Sequence, residues 1–216
     1  MVMCIPFDEA SQYLWYDIAM KTHIEKEYKI LVTKEQFDQL ITNYPEIDFI
    51  TQTNYYYDNK NYEIMKQKGA MRIRESAGTN LFTLKEIKGD DLIEYEQMVD
   101  TVDASVFEDK QIQKVLNKYH LEGPFELVAT LTTKRAMYVG DGYELCFDIS
   151  TYGDVTDYEI EYEYTQAHDG LTNFNEILAK VGLTYTSNAP AKIVRALSNK
   201  GLDFLIQNLT LEVKKA

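Results

Sequence analysis

The feature that most constrains the fold is a pairing of like charges at every second position in several stretches of the chain. Glu25 and Glu27 form one pair, Arg72 and Arg74 form a second, and Glu94 begins a third. Apolar or aromatic residues occupy most of the positions around them, and successive side chains of a strand point to opposite faces of a sheet. Each stretch therefore predicts a β-strand with one charged face and one apolar face.

Eight stretches show this two-residue period, which indicates mostly antiparallel strands. They are residues 24–32, 51–58, 70–75, 81–86, 92–99, 125–138, 143–150 and 157–164. Four helices are expected around them, at about residues 33–44, 105–119, 172–181 and 191–207. The first begins at the capping box Thr33 with Gln36, and the second at Ser105 with Glu108. This mixture predicts an α+β architecture.

The charged faces admit two interpretations. Taken singly, each strand fits an ordinary sheet with its charged face in water. Like charges at neighbouring positions of one face repel, however, so a solvent-exposed face is expected to mix signs. Acid pairs supply oxygen ligands for Mg²⁺ or Mn²⁺, and arginine pairs match phosphate oxygens. The pattern therefore predicts a closed barrel whose charged lumen holds a polyphosphate and a divalent cation, with helices covering the apolar faces.

Composition limits the classes of partner. The 216 residues include 22 Lys and Arg against 35 Asp and Glu, a formal net charge of −13, which argues against nucleic-acid binding through phosphate neutralisation. A small anionic ligand in a locally basic pocket remains compatible with this charge. No apolar run is long enough to span a membrane, and no secretory signal is recognisable, so a cytoplasmic protein without a membrane partner is expected. Cys4 and Cys146 form no spaced metal-binding pair.

The charged motifs, taken in order, resemble those of the CYTH superfamily, the triphosphate tunnel metalloenzymes. Residues 25–29 resemble the Glu-x-Glu-x-Lys signature, residues 72–74 the Arg-x-Arg strand and residues 83–86 the lysine strand of that family. Other segments resemble its second strand, acid strand, later arginine strand, closing strands and C-terminal basic cluster: residues 53–58, 92–94, 133–135, 148–152 with 157–161, and Lys192 with Arg195. The resemblance spans about residues 22–197 and is greatest for the Firmicutes-type triphosphatases.

The resemblance implies an eight-stranded antiparallel β-barrel tunnel with a charged lumen and helices packed outside. It places this tunnel in a single domain, residues 22–216, after an N-terminal extension of residues 1–21. The extension departs from the family pattern, in which the signature lies close to the initiator methionine. Translation starting at Met20 is therefore a hypothesis that the intact mass of the natively expressed protein would test.

Site roles follow from the resemblance together with the strand faces. The expected metal ligands are Glu25, Glu27, Glu159 and Glu161, and the expected phosphate contacts are Lys29, Arg72, Arg74, Lys85, Arg135 and Lys192. Lys29, Glu27 and Arg74 form the expected catalytic group, with Lys29 contacting a phosphate or positioning the attacking water. Glu94 and Asp148 are expected to support the basic side chains, because a buried unpaired charge is costly. Glu163 continues the acidic stripe, and Lys134 should face outward if Arg135 faces inward.

The expected function is metal-dependent hydrolysis of the terminal phosphate of inorganic, nucleoside or thiamine triphosphate. The expected cofactor is Mg²⁺ or Mn²⁺, and the expected partner is a triphosphate-containing small molecule; a homodimeric assembly is left open. One alternative is a class IV-type adenylate cyclase, which makes cyclic AMP and pyrophosphate. The other is a sensor that binds polyphosphate or nucleotides without turnover.

Overall fold

A computed structural model describes residues 20–88 and 91–201 of the chain. Nine antiparallel strands form one curled sheet: β1 (Lys21–Glu25), β2 (Glu27–Val32), β3 (Ile50–Asn59), β4 (Ala70–Ser76), β5 (Thr79–Lys88), β6 (Asp91–Val99), β7 (Phe125–Val139), β8 (Tyr143–Tyr152) and β9 (Val155–Tyr164). Five helices accompany it: α1 (Lys34–Ile41), α2 (Glu63–Lys66), α3 (Lys110–Lys118), α4 (Gly170–Ala179) and α5 (Lys192–Asn199). The part of the predicted extension that precedes Met20 lies outside the described residues. So does the part of the last predicted helix that follows residue 201.

A break at Lys26 explains why nine strands are found where eight were predicted. The strand order is β1-β6-β5-β4-β3-β7-β8-β9-β2, so the two edge strands are consecutive in the chain. β1 pairs with β6 and β2 pairs with β9, and the Lys26 carbonyl accepts a hydrogen bond from the Tyr164 amide at 2.9 Å. The sheet therefore closes through one interrupted strand. Counted as one, β1 and β2 give the eight-stranded antiparallel barrel with outer helices that the sequence predicted.

The apolar strand faces pack outward against helices. Phe37 of α1 and Phe174 of α4 contribute to one core with Phe147 of β8 and Tyr162 of β9, all of them buried. A second core joins the outer faces of β4 and β5 to α3, where Ile112 is fully buried. Among the helices of the described residues, none is long and apolar enough to cross a membrane. The charged faces are thereby left to the interior of the barrel.

Helix α5 lies over one end of the barrel. Ile193 and Leu197 pack with Tyr56 of β3, Leu131 of β7 and Tyr152 of β8. Leu131 shares its strand face with the site residues of β7, because the spacing between them is even. The apolar end of the interior is thus closed by α5, and the first residues of this helix reach the charged part of the lumen.

Two of the four predicted helix starts were wrong and two were confirmed, one of them the start near residue 191, where α5 begins at Lys192. Thr33 caps α1 through the capping box with Gln36, as predicted. The second helix begins later than expected, since residues 104–108 form a 3₁₀ turn and Asp109 caps α3. Asp169 caps α4, which therefore begins two residues before Thr172. In both cases an aspartate satisfies the first helical amides, and aspartate is among the preferred N-cap residues.

Candidate active site: a charged tunnel

The lumen is a cavity of about 1360 Å³ into which the predicted site residues project. It is lined by Glu25, Glu27, Lys29, Arg72, Arg74, Lys85, Glu94, Arg135, Glu161 and Lys192. Asp148 and Glu159 are fully buried just behind this lining. Lys134 is exposed, whereas its neighbour Arg135 points inward, as strand alternation requires. The fold thus brings together all residues that the sequence singled out, although they come from eight strands and one helix.

Arg74 is the least neutralised cation of the lumen. Its Nε donates a hydrogen bond to Oδ1 of Asn54 at 3.1 Å, and among the described residues it makes no ion pair. Burial lowers the pKa of the guanidinium to about 10, and repulsion by Arg72 and Arg135 adds to this effect. A buried cation beside two others is a site that an anion would stabilise.

The neighbouring basic groups share one acidic side chain. Glu94 lies 3.1 Å from Nζ of Lys85 and 3.8 Å from Nη2 of Arg72, and it also contacts Nε2 of His23 at 2.9 Å. Burial would raise the pKa of Glu94, but Lys85 and Arg72 outweigh burial and lower it. Glu94 therefore lies within reach of Lys85 and Arg72, the placement that its expected supporting role requires, and the role itself stays a prediction. His23 was not singled out as a site residue, because an isolated histidine carries no spacing signal.

A buried cluster of carboxylates lies across the lumen from the basic side chains of Arg72, Arg74 and Lys85. One oxygen of each of Asp148, Glu159 and Glu161 lies within 4.8 Å of the others. Nζ of Lys192 contacts all three carboxylates, at 2.9 Å for Asp148 and 2.5 Å for Glu161. Arg135 binds Asp148 with two nitrogens, at 2.7 and 2.5 Å, and also contacts Glu161. The ammonium of Lys192 thus lies where a bound cation would meet these three carboxylates.

Arg195, which the sequence placed in the C-terminal basic cluster with no site role, contacts the buried cluster of carboxylates. Its Nη1 donates to Oε2 of Glu159 at 2.6 Å, and its Nε lies 2.8 Å from Oδ2 of Asp157. Residues three apart share a face of a helix, so the position of Arg195 relative to Lys192 was an available signal. Burial would lower the pKa of Arg195, but Glu159 and Asp157 raise it.

The signature strand places a second set of carboxylates at the lumen. Oε2 of Glu25 lies 2.6 Å from Nζ of Lys85, and Glu27 contacts Nζ of Lys29. Burial raises the pKa of Glu27, with further repulsion from Glu161 and Glu25. Glu163 pairs in register with Glu27 across β9 and β2. Repulsion within this group makes it electrostatically suited to bind a cation.

These carboxylates fit a divalent metal ion by their chemistry. Carboxylate oxygens are the ligands that Mg²⁺ and Mn²⁺ prefer. Glu161 lies diagonally across the strand pair from Glu27, since it pairs with Lys29, and the two carboxylates repel. Among the described residues, the carboxylates close enough to share one ion are those of Asp148, Glu159 and Glu161, and Glu25 and Glu27 do not join that group, so the four-glutamate ligand set expected from the sequence stays a prediction.

We expect the Glu163→Gln variant to be more stable than the parent at pH 8 and equally stable near pH 4.5. Burial, Glu25 and Glu27 raise the folded-state pKa of Glu163 from 4.5 to about 7. Ionisation therefore removes stability as the pH rises through this window, and glutamine avoids that loss. Thermal unfolding in EDTA measures the effect, which is expected to raise Tm at pH 8 by about 2–4 °C for each kcal/mol of stability that the parent loses. Glu126→Gln, an exposed carboxyl on β7, is the control. A difference independent of pH would contradict the argument.

The remaining cysteine and histidine side chains of the described residues are not assigned a role in the site. Cys146 is a buried free thiol facing the lumen, and burial raises its pKa to about 12. It is therefore a poor nucleophile. His168 contacts the hydroxyl of Tyr162 at 2.6 Å and lies at the rim of the cavity. His120 is at a turn with positive φ after α3.

Known proteins are similar to this chain over about three quarters or more of its length. The Bacillus subtilis (strain 168) protein named "Putative triphosphatase YjbK" is 28% identical over 170 residues, covering 76% of this chain and 90% of the relative. A crystal structure described as a "putative adenylate cyclase" from Bacillus halodurans has a TM-score of 0.73 and 30% identity, covering 81% of this chain and 97% of the other.

A structure from Hippeastrum shares the same fold at lower identity. The Hippeastrum protein HpAC1, described as a "putative adenylyl cyclase" with a dominant triphosphatase activity, has a TM-score of 0.67 and 22% identity, covering 81% of this chain and 96% of the other. The family model for the CYTH domain matches residues 23–191, which include both strands of the signature region and the closing strands. The chain therefore belongs to the CYTH domain family.

Proposed function

We propose that the protein is a triphosphatase that hydrolyses the terminal phosphate of a triphosphate-bearing small molecule in the presence of Mg²⁺ or Mn²⁺. The observation that carries the proposal is the complementary imbalance of the lumen. Arg74 is a buried cation repelled by two other arginines, and Glu27 is a buried carboxylate repelled by two other acids. A polyphosphate with its divalent cation would compensate both.

The basic side chains have distinct roles in this proposal. Arg74 binds the phosphates most directly, because no carboxylate competes for it. Arg72, Lys85 and Arg135 complete the basic surface and are held in place by Glu94 and Asp148. Fixed cations aimed at phosphate oxygens stabilise the charge that develops on the leaving group, without reorganisation during the reaction. When bound, the divalent cation supplies Lewis-acid polarisation of a phosphoryl oxygen.

Lys29 acts as a charged donor and not as the base. Burial would lower the pKa of its ammonium, but Glu27 and Glu161 outweigh burial and raise it. A general base at neutral pH needs a lowered lysine pKa. Lys29 is therefore assigned to a phosphate oxygen, or to orienting the attacking water by donation.

Phosphate and pyrophosphate release with a panel of substrates tests the proposal. Purified protein is offered inorganic triphosphate, ATP and thiamine triphosphate with Mg²⁺ or Mn²⁺, and each reaction is repeated after EDTA treatment. We expect phosphate release that is fastest for one substrate and falls at least about a hundredfold when the metal is removed. Release that persists undiminished in EDTA would contradict metal dependence.

Two other outcomes would assign a different function to the protein. The Bacillus halodurans structure, described as a "putative adenylate cyclase", is the reason to measure pyrophosphate. Pyrophosphate and cyclic AMP from ATP, without phosphate, would identify a cyclase. A triphosphate-dependent rise in Tm without any product would identify a sensor.

A further inference from the structure

The signature strand β2 has one edge that the sheet leaves unpaired. β2 pairs with β9 on one side, but β1 turns away at Lys26 to pair with β6. The backbone groups of Glu27 and Lys29 that point away from β9 therefore need other partners. These two residues carry the side chains with opposite charges that meet in the lumen.

Asn188 and its neighbour occupy this edge. Oδ1 of Asn188 accepts a hydrogen bond from the Lys29 amide at 2.7 Å, and Nδ2 donates to the Glu27 carbonyl at 3.2 Å. The Ala189 amide donates to the Lys29 carbonyl at 3.0 Å. One side chain thus bridges the two residues along the free edge of β2, at the margin of the cavity, and the next backbone amide completes the edge.

Asn188 is itself held in place. The hydroxyl of Tyr185 donates to Oδ1 of Asn188 at 3.1 Å. The Tyr185 amide donates to Oδ1 of Asn175 on α4 at 2.8 Å, and its ring packs on Tyr28 of β2 with centroids 4.8 Å apart. The segment then leads directly into α5, which begins with Lys192. Asn188 therefore connects the signature strand to the helix that supplies Lys192.

We propose that Asn188 is a positioning residue that fixes Glu27 and Lys29 through their backbone; this inference rests on the proposed function. Glu27 is repelled by Glu161 and Glu25, so a strand with a free edge would yield to that repulsion. The amide of Asn188 has both the acceptor and the donor that the edge requires. A shift of this backbone would displace the proposed metal ligand and the proposed phosphate donor together.

The test compares Asn188→Ala with Asn43→Ala. Both residues are exposed and bond to backbone, but Asn43 caps the end of α1 through the Leu40 carbonyl at 2.9 Å, outside the barrel. Three quantities are measured: Tm, amide hydrogen exchange of Lys29, and the Mn²⁺ concentration that gives the half-maximal rise in Tm. For Asn188→Ala we expect faster exchange and a Mn²⁺ midpoint raised about tenfold, as for the loss of one hydrogen bond. Asn43→Ala should change neither the amide exchange of Lys29 nor the Mn²⁺ midpoint.

Asn188→Asp separates the two hydrogen bonds of the side chain. Aspartate keeps the acceptor for the Lys29 amide but has no donor for the Glu27 carbonyl. We expect slow exchange at Lys29 with a Mn²⁺ midpoint still raised. An Asn188→Ala protein with faster exchange but an unchanged Mn²⁺ midpoint would overturn the inference. A parent protein with neither a Mn²⁺ response nor phosphate release would overturn the proposed function, and this failure is recognisable without any variant.

Discussion

The Arg74→Ala variant is expected to release phosphate about 10²–10³-fold more slowly than the parent, without loss of thermal stability. The guanidinium lies among Arg72 and Arg135, and its only described hydrogen bond is to Asn54. Removing it relieves repulsion in the ligand-free protein, so Tm should stay constant or rise. With substrate bound, the same removal takes away the cation that has no competing carboxylate.

Steady-state rates on the preferred triphosphate measure the loss of turnover, and thermal unfolding measures the unchanged or higher Tm. Lys134→Ala is the matched control, because this cation lies on β7 beside Arg135 but points outward. Its rate should equal that of the parent. Turnover of Arg74→Ala within a few fold of the parent would remove Arg74 from the proposed machinery.

Much of the barrel could be predicted from the sequence because strand alternation is a local signal. Charged and apolar residues alternate in each strand, and the register in the structure places Lys85 opposite Glu94 and Asp148 opposite Glu159. Lys26 interrupts the apolar face of residues 24–32, but one charged residue does not show that the strand changes its pairing partner there, so the break was not predictable. Only closure of the barrel requires β1 and β2 to pair with different neighbours.

The residues that face the lumen were predictable as a set, whereas the ion pairs among them were not. Alternation shows which side chains share a face, whereas the lack of an ion pair at Arg74 depends on how the strands of the barrel curl. Asp148 was expected to support the basic groups, and it does bind Arg135. The structure adds that Lys192 lies at the centre of three carboxylates, a contact made by a helix distant in sequence.

Asn188 shows a second limit of sequence reasoning. Its side chain acts on the backbone of Glu27 and Lys29, and such a contact has no charge pattern or spacing. An asparagine in a loop before a helix is ordinarily interpreted as a turn residue. Its position matters here only because the neighbouring strand has lost a partner.

The Glu27→Gln variant is expected to lose turnover to a similar extent as Arg74→Ala. In Glu27→Gln the weakened step is metal binding, whereas in Arg74→Ala it is phosphate binding. Glutamine keeps the size of the side chain but removes one anionic oxygen ligand. Burial and repulsion by Glu161 and Glu25 already disfavour the charged form of Glu27, so the variant should unfold at the same temperature or higher. The Mn²⁺-dependent rise in Tm should shrink, whereas Glu126→Gln should behave as the parent.

The two variants together separate the acidic and basic halves of the tunnel. Thermal unfolding is recorded with Mn²⁺ alone and with inorganic triphosphate in EDTA. Arg74→Ala should keep the rise in Tm with Mn²⁺ and lose the rise with triphosphate, and Glu27→Gln should show the reverse. Each of the two charges is buried beside like charges, and each is stabilised by a ligand of the opposite charge. If both variants lost both responses equally, the lumen would act as one coupled charge network, and the division into a metal half and a phosphate half would be wrong.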